Sequence, residues 1–149
     1  MARGETAEAV VQLRRRVRAA AEQIFDLWTQ PDLMARWMSP FPGAVDCQAT
    51  CDPRPGGAFS LVMSSVEARR VVSGVYVEVD RPRKLVFTWI GPLTNHVNTL
   101  VTVEFLPRGE EIELVLTHER LPTSAIVEGH TKGWGNIMEH LEETVSERG

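Results

Sequence analysis

The chain has 149 residues, 43% of them apolar, with a net charge of −4 and a pI near 5.6. That is enough apolar material for one globular domain with its own core, and the acidic balance argues against general nucleic-acid binding, which needs a basic surface. No apolar run approaches the ~18 residues of a membrane span, and the N-terminal MARGETAEAV has no signal-type apolar core, so a cytoplasmic address is expected.

Val10 to Val17 alternates. Val11, Leu13 and Val17 point one way, and Gln12, Arg14 and Arg16 the other, which is the period of a strand. Arg15 falls on the apolar side of that alternation. Ala19 to Thr29 carries good helix formers, with Ile24, Phe25, Leu27 and Trp28 grouped. Pro31 suits the start of a second short helix over Asp32 to Trp37, and Pro40, Pro42 and Gly43 end it. Six strand-like runs follow. Val45 to Cys51 precedes the turn Asp52-Pro53-Arg54-Pro55-Gly56-Gly57. Phe59, Leu61 and Met63 share a face of the next run. Arg70 to Val79 is Val-rich and stops at Asp80-Arg81-Pro82. Leu85, Phe87 and Trp89 share a face. So do Val97, Thr99, Val101, Val103 and Phe105, and then Ile112, Leu114, Leu116 and His118. This spacing predicts an antiparallel meander.

Beyond Pro122 the pattern changes to about 100° per residue. Ile126, Val127, His130, Trp134, Ile137, Met138, Leu141 and Val145 form one stripe of a long helix that starts within three residues of Thr123. Glu128, Lys132, Asn136, Glu139 and Glu143 lie opposite. The order is β-α-α-β6-α, read as a single α+β domain over residues 8–147. Cys47 and Cys51, four apart in a strand, stand about 13 Å apart at ~3.3 Å per residue, which is too far for a disulfide. They are expected to be thiols.

Three segments resemble a known family: WTQPDLMARWMSP (Trp28 to Pro40), DPRPGGAFSLVM (Asp52 to Met63) and HTKGWGNIMEHLEETV (His130 to Val145). It is the family named for the C-terminal domain of the activator of the ninety-kilodalton heat-shock protein ATPase, within the START-like (SRPBCC) superfamily. Members often carry a proline after the first strand, where this chain has Ala20. The resemblance implies a helix-grip fold, a curved seven-stranded antiparallel sheet around the long C-terminal helix, with a hydrophobic cavity between. The superfamily includes carriers of lipids and hormones, cyclases and self-resistance proteins, so the fold does not select a function.

Binding of a small, largely apolar ligand in that cavity is the leading expectation. Phe59, Met63, Phe87, Trp89, Trp134 and Met138 would form the wall, Trp37 the mouth, and Arg15, His118 and His130 the polar anchors. Arg15 matches an arginine that family members often show, and an inward guanidinium needs an anion or carbonyls. Each of these residues also has an ordinary structural reading: core packing for the aromatics, a satisfied core imidazole for the histidines, a salt bridge for Arg15. One alternative is a cyclase- or hydrolase-like enzyme using a cavity histidine as base. Another is a chaperone-associated interaction protein. No catalytic residue, metal ligand or cofactor is assigned: no HExxH, GxGxxG, Walker A or GxSxG pattern occurs. The expected partner is a small hydrophobic or aromatic molecule rather than nucleic acid or membrane, and a homodimer is a candidate assembly.

Overall fold

The computed structural model describes residues 10–38, 46–64 and 69–148. The expected N-terminal domain boundary at residue 8, Val45, and the helix-ending Pro40, Pro42 and Gly43 lie outside them. The elements are β1 (Val10–Val17), α1 (Ala21–Thr29), α2 (Pro31–Trp37), β2 (Asp46–Cys51), β3 (Ala58–Ser64), β4 (Arg69–Asp80), β5 (Lys84–Trp89), β6 (Thr99–Arg108), β7 (Glu111–Glu119) and α3 (Ser124–Arg148). A 3₁₀ turn, Pro92–Thr94, links β5 to β6.

The seven strands form one antiparallel sheet in the order β1-β7-β6-β5-β4-β3-β2. Strands β2 to β7 each pair with the next in sequence, because short turns leave a hairpin as the nearest partner. β1 closes the other edge against β7, with Val11 opposite His118 and Val17 opposite Ile112. Its outward arginines, and Arg18 just beyond it, meet acids of β7 and the turn before β7: Arg14 with Glu113 at 3.4 Å, Arg16 with Glu111 at 3.6 Å, and Arg18 with Glu110. These pairs are solvent-exposed and add little stability.

One departure from the alternation lies before β6. Val97 is outside the strand and 37% exposed. Asn95 and His96 both take left-handed conformations, with φ of 57° and 60°. Extended pairing therefore cannot begin until the chain has left that turn, and it starts at Thr99, opposite Trp89.

α3 lies over the sheet, against β1 on one flank and α2 on the other, while α2 also packs on β2 and α1 reaches β6. Thr123 caps α3. Its side-chain oxygen accepts the Ile126 N–H at 3.1 Å, and its carbonyl accepts the Val127 N–H at 3.0 Å. The helix then runs unbroken through Gly129, Gly133 and Gly135. Ala20 holds the cap position of α1 with no side-chain bond. That helix depends on burial of Ile24, Phe25, Leu27 and Trp28 rather than on a cap. Complete burial of such a side chain stabilises a fold by about 1.5–3 kcal/mol.

Aromatic rings fill the space between the layers. Trp28 sits at the centre, edge-on to Trp37 at 4.6 Å and stacked on Trp134 at 6.3 Å. Phe59 and Phe87 meet edge-to-face at 5.4 Å below. Gly74 makes this possible. It lies opposite Phe59 in β3, and a Cβ there would collide with the Thr88 carbonyl oxygen and stand 2.6 Å from Phe59 Cε2. Gly74→Ala should therefore destabilise the protein by about 2 kcal/mol, the cost of overpacking a rigid site. Urea denaturation checks this, and an unchanged midpoint would show that the strands part without cost. Among the described residues no helix is long and apolar enough to cross a membrane.

Candidate functional site

The register of three strands builds a polar line inside an apolar layer. Trp89 of β5 is opposite Thr99 of β6, and Val101 of β6 is opposite His118 of β7. Thr99 and His118 are thus diagonal neighbours on the inward face. Both are fully buried, so their polar atoms need partners. The Thr99 hydroxyl lies 2.5 Å from the Trp89 carbonyl oxygen, to which only it can donate. With its one proton committed there, Thr99 Oγ1 accepts from His118 Nε2 at 2.7 Å. From the helix above, the Trp134 indole N–H donates to His118 Nδ1 at 3.0 Å. An indole can only donate, so Nδ1 carries a lone pair. His118 is therefore the neutral Nε2–H tautomer with both nitrogens engaged. Burial, reinforced by the neighbouring His130, pushes its pKa down to about 3.

His130, one turn before Trp134 on α3, meets His118 edge-to-face with ring centres 5.0 Å apart. Its Nδ1 lies 2.9 Å from the Ile126 carbonyl oxygen, one turn back on the same helix. A carbonyl accepts only, so Nδ1 bears the proton and Nε2 the lone pair. That Nε2 is buried and has no hydrogen-bond partner among the described residues. Burial lowers the pKa of His130 as well, against the raising effect of the Ile126 bond.

Beside His130 is a pocket of about 260 Å³ between the first half of α3 and strands β3 to β5. Met63, Val72 and Trp89 form the sheet side. Ala125, Ile126, Gly129, His130, Gly133, Trp134 and Ile137 form the helix side. Ala125 and Gly129 are exposed and make its rim. The small residues recur every fourth position, so they share one flank of the helix and leave the room that larger side chains would fill.

Of the residues expected at a ligand, Met63, Trp89, His130 and Trp134 line this pocket. His118 is behind it, tied to Trp134. Phe59, Phe87 and Met138 belong to the closed core. Trp37 is not a mouth residue: it is wholly buried, and its indole N–H is bonded to the Leu27 carbonyl at 2.8 Å. The tight α1–α2 junction turns that side chain inward. Arg15 does not reach the pocket either. Strand parity does place it on the sheet's inner face, but β1 is the edge strand and its side chain comes out past α3. There it donates to the Arg14 carbonyl, pairs with Glu142 at 4.0 Å, and borders an open polar groove with Lys132 and Glu139.

Val72, Ala125, Ile126, Gly129, Gly133 and Ile137 complete the lining, and of these only Gly133, a glycine beside Trp134 that can leave room for a ligand, is anticipated by the sequence. The Ala125-Gly129-Gly133 spacing was the signal available for three of them. Val72 had none, because β4 carries valine on both faces. Cys47 and Cys51 are thiols rather than a disulfide, and the Cys51 thiol donates to the Thr29 carbonyl at 3.2 Å. Among the described residues no three His, Cys, Asp or Glu side chains gather as a metal site would require.

Comparison with known proteins agrees with this architecture. Residues 18–146 match the family described as "Activator of Hsp90 ATPase homolog 1-like protein". No curated relative matches the sequence. Among solved structures, protein CV1439 of Chromobacterium violaceum superposes with a TM-score of 0.83 at 20% identity, covering 93% of this chain and 97% of that one. Protein NE0264 of Nitrosomonas europaea gives 0.80 at 22%, covering 96% and 97%. PFC0360w, an HSP90 activator from Plasmodium falciparum, gives 0.74 at 23%, covering 93% and 96%. At these identities the structures speak for the fold alone, and it is the match over residues 18–146 that assigns the family: the chain belongs to the Activator of Hsp90 ATPase homolog 1-like family and has its helix-grip fold.

Proposed function

We propose that this protein binds a small, largely apolar molecule in the pocket between α3 and the sheet. The supporting observation is the pocket itself: about 260 Å³ lined mostly by apolar side chains, with one imidazole and an open rim of small residues. Sites for small molecules are mostly apolar with a few placed polar groups. Catalysis by His118 has no such support, since proton abstraction there would first require Trp134 to release Nδ1.

A thermal-shift screen over fatty acids, flavonoids and polyketide-like aromatics tests the reading. A ligand at about 100 times its Kd stabilises by about 2.7 kcal/mol. With roughly 2–4 °C per kcal/mol at this size, the expected shift is about 5–10 °C. Gly133→Leu should fill the helix side of the pocket and abolish most of that shift. The same change should leave the unliganded protein folded, because leucine favours helix by roughly 1 kcal/mol over glycine. Uniformly null shifts would remove the binding reading.

A second reading, a chaperone-associated interaction protein, is favoured by the family description and by the likeness to an HSP90 activator. The outer face of β4 offers it Val71, Val75 and Val77, 37%, 42% and 53% exposed. Stimulation of a ninety-kilodalton chaperone's ATPase by the purified protein is its test.

A further inference from the structure

His118 is not among the residues that line the pocket, yet it touches every aromatic ring that does. Trp89, His130 and Trp134 are those rings, and their centres lie 6.2, 5.0 and 6.0 Å from that of His118. Two of the three are tied to it by hydrogen bonds. The Trp134 indole N–H donates to His118 Nδ1 at 3.0 Å. Trp89 is reached through its main chain: the Thr99 hydroxyl donates to the Trp89 carbonyl and accepts from His118 Nε2. His130 is held from its own helix by the Ile126 carbonyl and meets His118 edge-to-face. Turning the Trp134 indole over would strand its N–H in a buried layer, at the cost of an unmade hydrogen bond. Its ring is therefore kept in one orientation, 5.0 Å from Trp89 at an interplanar angle of 46°. None of the lining residues carries a carboxylate, an ammonium or a guanidinium.

We propose that His118 is a positioning residue for the pocket. By fixing Trp134 beside Trp89 and His130 it makes a rigid aromatic wall, and that wall selects a flat, uncharged aromatic ligand over a saturated one of the same skeleton. This rests on the pocket being a binding site. Aromatic rings attract one another beyond their buried area only in offset or edge-on arrangements. A wall fixed beforehand offers such an arrangement without an ordering cost at the moment of binding. A saturated ring gains from burial alone, and a charged ligand would lose its hydration with no counter-ion in the lining.

The test compares 2-naphthol with decahydro-2-naphthol at neutral pH; the two share a carbon skeleton and a hydroxyl and differ in flatness and aromaticity. A cavity of about 150 Å³ takes benzene, so one of about 260 Å³ has room for two fused rings. Titration calorimetry should find the aromatic probe roughly fivefold to tenfold tighter in the wild type. In His118→Leu, which fills space but accepts no hydrogen bond, the two affinities should become nearly equal, chiefly through loss of naphthol binding. His118→Gln, which keeps an acceptor, should restore part of the preference, and a mere filler of space would not show that split. Should His118→Leu not fold, ¹⁵N spectra of the wild type decide: His118 Nδ1 should be non-protonated, and the Trp134 indole N–H should be protected from solvent exchange with and without naphthol. A preference that survives in folded His118→Leu, an Nδ1–H tautomer at His118, or a freely exchanging Trp134 indole would overturn the positioning role. Equal binding of the two probes by the wild type would overturn the aromatic selection while leaving the pocket a binding site. Failure of both probes to bind would overturn the binding reading on which the proposal rests.

Discussion

His118→Ala should destabilise the protein by about 3–5 kcal/mol. Two costs add. The imidazole fills space in a layer where its neighbours Trp89, Trp134 and His130 are all packed within 6.2 Å of its ring centre, and its loss leaves a hole. The Trp134 indole N–H, 3.0 Å from Nδ1, then becomes a buried donor without a partner. Thr99 loses its own partner on the other side while keeping the Trp89 carbonyl. At roughly 2–4 °C per kcal/mol, the melting temperature should fall by about 10 °C. His118→Gln, which retains one donor and one acceptor, should recover part of the loss. Chemical denaturation of the three proteins measures both effects. A His118→Ala change below about 1 kcal/mol would mean that the network does not hold the sheet to the helix.

Acid should weaken the fold through the same residue. The folded-state pKa of His118 is depressed to about 3 from its ordinary 6.5. Below 6.5 the unfolded chain takes up a proton that the folded chain refuses, so unfolding is favoured. The stability is present in full above about pH 6.5 and is lost as the pH falls toward 3. Between pH 7.5 and 4.5 the loss from this one group is roughly 2.5 kcal/mol. His130, also shifted down by burial, acts in the same direction. Carboxylates titrate in this range too, so the decisive quantity is the difference between wild type and His118→Gln at each pH. The two profiles should converge as the pH falls from 7.5 to 4.5. Parallel profiles would show that His118 is protonated in the folded state at a normal pH.

Burial, with the neighbouring His130, sets that shift, and the hydrogen-bond geometry has no place for a protonated imidazole either. An Nδ1–H would confront the Trp134 N–H, donor against donor. Polar satisfaction and titration are therefore one constraint. It also explains why two histidines a ring's width apart differ chemically. One has both nitrogens bonded inside the protein; the other keeps a buried Nε2 with no partner among the described residues.

Much of this was readable residue by residue. The alternation of Val11, Leu13 and Val17 gave β1 its span, and the stripe from Ile126 to Val145 gave α3 its buried face, because both patterns are local consequences of backbone period. Gly91-Pro92 announced the break after β5, whereas the two left-handed residues beyond it, which exclude Val97 from β6, have no such marker. Strand parity sent Arg15 inward correctly but could not say that β1 ends the sheet, where an inward side chain can bend past the helix to solvent. Trp37 looked like a rim residue because its helix is short; packing of α2 between β2 and α3 buried it.

The sequence by itself determined the elements, their order, the antiparallel sheet and the inward faces, since each follows from interactions among residues near in the chain. The tertiary structure decided the site. Thr99, His118, Trp134 and the Trp89 carbonyl come from three strands and a helix, and only their register makes them partners. Which imidazole nitrogen bears a proton and which stays without a partner are properties of distances between elements, and no period in the chain encodes those.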